Sequence, residues 1–179
     1  MAWRLPRARF EQGKGEGNRA AFRRRVRSSP PPGILAYIEQ VPVGWCAVAP
    51  RSEYDYLARS RVLRPVDDAA VWSVSCLLVA KPYRGRRLSV RLLRAAVEMA
   101  GEAGAEIVEG YPVIPYASRM PDAFAWTGTV SAFNAAGFEE VARGSPKRPI
   151  MRAYPAQAGR YSLGTAAARR NTTVKRVVP

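Results

Sequence analysis

Apolar positions in this chain alternate between strand-like runs and one long helical stripe. Ile34 to Gln40 and Val43 to Ala49 are β-rich runs parted at Val41-Pro42, which reads as a hairpin turn. Val71 to Val79 is apolar on both faces, as a central strand should be. From Leu88 to Ala103 the period changes. Leu92, Leu93, Ala96, Val97 and Ala100 fall on one helical face, with Arg91, Arg94, Glu98 and Glu102 opposite. Gly101 and Gly104 let this helix stop. Glu106 to Val113 predicts a further strand, and Pro112 to Met120 an irregular stretch. Thr127 to Ala136 predicts a second helix closed by Gly137, followed by strands over Phe138–Ala142 and Pro149–Tyr154. Upstream, residues 17–27 read as a helix capped by Asn18, broken by Ser28-Ser29-Pro30-Pro31-Pro32-Gly33. Glu53 to Ala58 has room for one or two helical turns. There are no internal repeats.

This order implies a mixed α/β (α+β) domain. The strand–helix–strand unit makes 71–79 and 106–112 parallel neighbours, and the remaining strands antiparallel. Three segments follow: a basic N-terminal piece over 1–16, a folded domain over 17–154, and a basic tail over 155–179. The tail shows no periodicity and reads as disordered.

Composition narrows the chemistry. The 179 residues are 47% hydrophobic, enough for one domain with a core. No apolar run approaches the roughly 20 residues that span a bilayer, and Met1 to Arg7 lacks a secretory core, so a cytoplasmic protein without membrane contact is expected. There is no histidine. That removes Ser-His and Cys-His nucleophiles, and Cys46 and Cys76 alone cannot complete a structural zinc site, so no metal is expected. Both cysteines lie in apolar runs and read as buried thiols. The formal charge of +15 is uneven: +7 over residues 1–33, +5 over 155–179 and +3 between. Basic ends on an otherwise ordinary domain imply weak attraction to polyanions.

The richest stretch is Leu77 to Leu93. A buried strand ends in the basic turn Lys81-Pro82-Tyr83-Arg84-Gly85-Arg86-Arg87, and the long helix starts at once. Backbone N–H groups and arginines converging at a helix N-terminus suit a phosphate. Arg84, Gly85, Arg86, Arg87, Leu88 and Ser89 resemble the Gln/Arg-x-x-Gly-x-Gly/Ala loop of the GCN5-related N-acetyltransferase (GNAT) superfamily. Two positions depart from it: Arg87 stands where glycine is usual, and Ser89 where glycine or alanine is. The surroundings carry more of the likeness. They include Val43-Gly44-Trp45-Cys46-Ala47-Val48, Val79 to Arg84, Ala103-Gly104-Ala105 and Ala135-Ala136-Gly137-Phe138. Glu109-Gly110-Tyr111-Pro112 and Arg143 to Met151 resemble a bacterial subgroup of the superfamily.

The resemblance implies a mostly antiparallel sheet splayed at its parallel pair, with acetyl-CoA in the V as co-substrate. The pantetheine arm would pair with Leu77, Leu78 and Val79, and the pyrophosphate would meet the N–H groups of Arg84 to Ser89. Arg87 then has to keep an αR or β backbone, or the loop differs from the usual one. A primary amine would attack the thioester directly, with an edge N–H near Leu78-Val79 stabilising the oxyanion. The tyrosine that often protonates the leaving thiolate is Phe133 here, and the asparagine often found seven residues earlier is Trp126.

Glu109 is the expected base, near the mouth of the V among apolar neighbours, or else an exposed strand-end carboxylate. Tyr111 and Ser131 are alternative proton relays, Tyr111 also a wall of the substrate pocket. Trp45 and Trp72 would wall the acceptor site or else pack in the core, and Asp67 and Asp68 would attract a cationic substrate or else form a plain acidic turn. A small-molecule amine is the expected acceptor, with a protein amine left open, as is a homodimer. Two other readings stay open: a nucleic-acid or ribosome-associated module, and a CoA-binding regulator without turnover.

Overall fold

Nine consecutive residues with apolar faces on both sides need cover above and below, and the chain supplies it by placing that segment mid-sheet. In the computed structural model, which describes residues 2–115, 125–155 and 172–176, seven strands form one sheet. They are β1 (Gly33–Ile38), β2 (Val41–Pro50), β3 (Trp72–Val79), β4 (Val108–Gly110), β5 (Glu139–Ser145), β6 (Arg148–Ala153) and β7 (Thr172–Arg176). Their order is β5-β6-β4-β3-β2-β1-β7. Only β3 and β4 are parallel, joined through Trp72↔Val108, Ser73↔Glu109 and Val74↔Gly110; the other pairs are antiparallel. The expected α/β architecture is what forms.

Several boundaries move. The hairpin turn lies at Glu39-Gln40, both at positive φ (49° and 65°), and Val41-Pro42 belong to β2. Two consecutive positive-φ residues give the twist that tight hairpins favour. Asn18 does not cap a helix: α2 (Glu16–Val26) starts after Gly15, and Asn18 Nδ2 donates instead to the Phe10 carbonyl of α1 (Arg7–Gln12) at 2.8 Å. The tail expected to be structureless contributes β7, antiparallel to β1. Its other residues, 156–171 and 177–179, lie outside the described residues, as do 116–124 of the irregular stretch.

The sheet has two differently filled faces. On one, α4 (Leu88–Glu102) buries Leu88, Leu92, Leu93, Ala96, Val97, Met99 and Ala100 against β1 to β3. Beside it α5 (Val130–Ala136) buries Phe133, which is 0% exposed. Gly110 is needed there, since a Cβ on it would sit 1.9 Å from Phe133 Cε1. On the other face Tyr54, Leu57, Leu63, Tyr111 and Ile150 form a smaller core with Trp3 against it. Helix α3 (Asp55–Arg59) supplies Leu57.

β4 pairs with only three residues of β3. Past Tyr111 the chain turns away and Val113 bridges to Thr129, its N–H donating to the Gly128 carbonyl at 3.0 Å. Five residues of β3 therefore run on without β4 beside them, and this opens the V.

Candidate active site

The loop after β3 is where phosphate chemistry was expected, and its backbone is unusual. Gly85 (φ 75°) and Arg87 (φ 56°, ψ 21°) both adopt the left-handed conformation. Arg87 thus does not keep the αR or β backbone that would let a side chain replace glycine without strain. L-residues lose roughly 1–2 kcal/mol there, because Cβ crowds the following carbonyl. Arg87→Gly should therefore stabilise the fold by about 1 kcal/mol, less the entropy glycine loses on folding. A thermal melt checks this, and a lower midpoint would show that the side chain contributes more than the strain costs. Arg87 is also the N-cap of α4, with no side-chain cap bond and no acidic residue in the first turn. The positive end of α4 faces outward, favouring an anion by about 0.3–1 kcal/mol per exposed charge.

A cavity of about 520 Å³ gathers this loop with elements distant in sequence. Leu77, Leu78 and Val79 line it from β3, and Arg84, Gly85, Arg87, Leu88 and Ser89 from the loop. Trp126, Thr129 and Ser131 close the far wall. Arg86 is left out; its guanidinium lies 5.5 Å over the Tyr83 ring. Arg84 Nε donates to the Val79 carbonyl at 3.0 Å.

The register of β2 and β3 decides which edge groups face the cavity. Trp45 is opposite Leu78 and Gly44 opposite Val79, and Ala80 N–H donates to the Val43 carbonyl at 2.8 Å. By antiparallel alternation the Leu78 N–H turns toward β2, while those of Leu77 and Val79 turn away from it. The Leu77 N–H is taken, donating to the Trp126 carbonyl at 2.7 Å. Val79 is left as the cavity-side N–H of this pair.

Glu109 is placed differently from expectation. It is 0% exposed, and its neighbours are polar where apolar ones were expected. Arg51 (3.1 Å) and Tyr111 Oη (2.9 Å) donate to Oε1, and Arg152 Nε (2.9 Å) donates to Oε2. It lines neither the cavity nor a solvent-exposed strand end. Tyr111, also 0% exposed, accepts from Arg51 at 2.7 Å and shares a 2.8 Å bond with Ser73. Burial, then the Glu109 charge, push its phenol well above the usual range.

Asp67 closes the network with two bonds to Arg152 at 2.6 and 2.9 Å. It is thereby committed to a salt bridge, and not held out for a cationic substrate. The hydrogen bond from Arg152 brings its pKa down to about 2. A depressed folded-state pKa means the bridge stabilises above the unfolded value of about 3.9 and is lost as pH falls through about 2. The melting difference between wild type and Asp67→Asn should accordingly shrink across that window; a constant difference would refute the assignment. Asp68 is an exposed loop residue outside the cavity lining.

The remaining candidates separate. Ser131 Oγ lies on the cavity wall, 3.1 Å from Thr129 Oγ1. Trp45 packs edge-on against Phe22 of α2 at 5.9 Å and is not at the cavity. Trp72 lines a second cavity of about 620 Å³ at the opposite end of β3. Cys46 and Cys76 are free thiols whose pKa values burial pushes up, so neither suits a nucleophile. Among the described residues no cluster of acids and cysteines could hold a metal, and no helix is long and apolar enough to cross a membrane.

A family model for the acetyltransferase (GNAT) family matches residues 1–112. The chain belongs to that family. The fold agrees with solved GNAT structures. A ribosomal-protein-alanine N-acetyltransferase from Brucella melitensis is 17% identical, with a TM-score of 0.51 over 78% of this chain and 77% of that one. A variant of the spermidine N-acetyltransferase from Vibrio cholerae is 10% identical, with a TM-score of 0.50 over 83% and 78%. An aminoglycoside acetyltransferase solved with coenzyme A is 21% identical, with a TM-score of 0.46 over 73% and 71%. No curated protein sequence matches.

Sequence reasoning missed Arg51, Arg152 and Thr129 as members of these sites. Arg51 and Arg152 are 101 positions apart and meet only through Glu109. Thr129 falls inside the helix predicted over Thr127 to Ala136, whereas it is the N-cap of α5, and nothing local links it to β3.

Proposed function

We propose that this GNAT protein is an acetyl-CoA-dependent N-acetyltransferase that passes the acetyl group directly to a primary amine. One observation carries the reading: the edge of β3 beyond β4, the 84–89 loop and the α5 wall border a single cavity. Its features suit the cofactor, with an uncapped helix N-terminus, arginines at one end and an apolar strand edge at the other. Acetyl-CoA supplies an activated acyl group as a thioester.

In this reading the chain's own residues do four things. The N–H groups from Gly85 to Ser89 and the start of α4 bind diphosphate. Arg84 and Arg87 add positive charge there. The Val79 N–H donates to the acyl oxygen, where negative charge builds in the transition state. Ser131 Oγ, paired with Thr129, is the hydroxyl assigned to proton transfer at the leaving sulfur, because Phe133 is sealed in the core. Glu109 acts as a positioning residue, holding Arg51, Arg152 and Tyr111, and the amine proton leaves to water in the open cleft. The proteins of similar fold act on a ribosomal protein and on spermidine; a small-molecule amine is the acceptor class proposed here.

Acetyl-CoA at 100 times its Kd should raise stability by about 2.7 kcal/mol, read by thermal shift and calorimetry. CoA release with an amine panel separates turnover from binding. Binding without turnover on any amine would leave a CoA-binding regulator. No binding, with stabilisation by RNA that salt abolishes, would favour a polyanion module.

A further inference from the structure

The N-terminal segment is attached to the domain in an unusual way. Neither α1 nor α2 buries a residue, so residues 7–26 add little to the core. The anchor is Trp3-Arg4, in a stretch without regular secondary structure. Trp3 stacks on Tyr56 (centroids 4.8 Å apart, planes at 18°) and meets Trp126 edge-on at 5.1 Å. It also leans on Tyr111 at 6.0 Å. Tyr56 N–H donates to the Trp3 carbonyl at 3.0 Å. Arg4 ion-pairs with Glu53, which Arg25 also holds, and lies 4.5 Å over the Tyr54 ring.

Trp126 belongs to two places at once. It walls the acetyl-transfer cavity, and it forms one side of the aromatic slot that Trp3 fills. The slot is thus the neighbouring compartment, on the face of the sheet opposite α4, one side chain away from the edge of β3. Its present occupant offers a flat ring followed by a cation. Tyr56 and Trp126 hold the ring, and Tyr54 and Glu53 hold the charge.

We propose that residues 2–6 are an autoinhibitory strap, with Trp3-Arg4 occupying the site of an arylalkyl amine acceptor. Such an amine presents the same ring and positive charge and would enter when the strap lifts. Because the helices behind it bury no residue, the strap lifts by local opening without unfolding the domain. The proposal rests on the acetyl-transfer reading above and deepens it by naming the acceptor class.

The test measures CoA release from acetyl-CoA with tryptamine, with spermidine as a cation lacking a ring. It compares wild type, Trp3→Ala and Arg4→Ala. Acetyl-CoA affinity is read separately by calorimetry, since Trp3 does not line the cavity. If a small open fraction limits acceptor binding, vacating the slot should raise kcat/KM for tryptamine about tenfold or more in Trp3→Ala. Arg4→Ala should move it in the same direction while keeping the ring, and acetyl-CoA affinity should stay unchanged. Should Trp3→Ala fail to fold, Arg4→Ala decides alone. Unchanged or lower kcat/KM with acetyl-CoA still bound would overturn the strap, and an equal gain with spermidine would overturn the arylalkyl assignment. A wild-type protein that binds no acetyl-CoA would sink the acetyl-transfer reading itself, and the strap with it.

Discussion

Replacing Glu109 with alanine should lower stability by about 3–5 kcal/mol, because it leaves the half-buried Arg51 guanidinium with no carboxylate and the buried Arg152 with Asp67 alone. Arg152 keeps Asp67, but Arg51 keeps only neutral partners: Tyr111 and the carbonyls of Leu57 and Leu63. In a chain of this size the loss corresponds to a fall in melting temperature of roughly 10 °C. Glu109→Gln keeps the shape and one acceptor oxygen, so its loss should be smaller. A general base would behave differently, with Glu109→Gln leaving stability intact and removing most of the turnover. Melting curves and kcat for both variants separate the two roles. An alanine variant as stable as wild type would refute the positioning role.

Val79→Pro should reduce kcat/KM by about 10²–10³, the usual cost of deleting one donor to a developing oxyanion. Proline removes one N–H and fixes φ near the extended region. At most strand positions it would also break a ladder bond. Here the Val79 N–H faces away from β2, so that pairing survives, and Ala80 N–H still reaches the Val43 carbonyl. The control is Leu78→Pro, which removes an N–H directed to β2 and should unfold the sheet edge. Wild-type turnover in a folded Val79→Pro protein would rule out that N–H as a donor to the acyl oxygen.

These two expectations mark how much of the site was legible beforehand. The helical stripe from Leu88 and the apolar run before it were readable, because each obeys a local period that burial enforces. The basic turn between them was readable as a turn leading straight into a helix, because its arginines and the helix start lie adjacent in the chain. Glu109 was legible as a position but not in its role. Its partners Arg51 and Arg152 come from the turn after β2 and from β6, and no local pattern announces an ion pair across strands. Trp3 was invisible for the same reason. A tryptophan near a chain end shows no period, and only the fold brings it to Tyr56 and Trp126.

By itself the sequence determined the succession of strands and helices, the mixed sheet and the basic corner between β3 and α4, since all three follow from neighbouring residues sharing one face or one turn. The tertiary structure decided which N–H faces the cavity, what surrounds Glu109 and what fills the aromatic slot. Those depend on strand register and on contacts between segments tens of residues apart, where shifting a strand by one residue reverses which groups are buried.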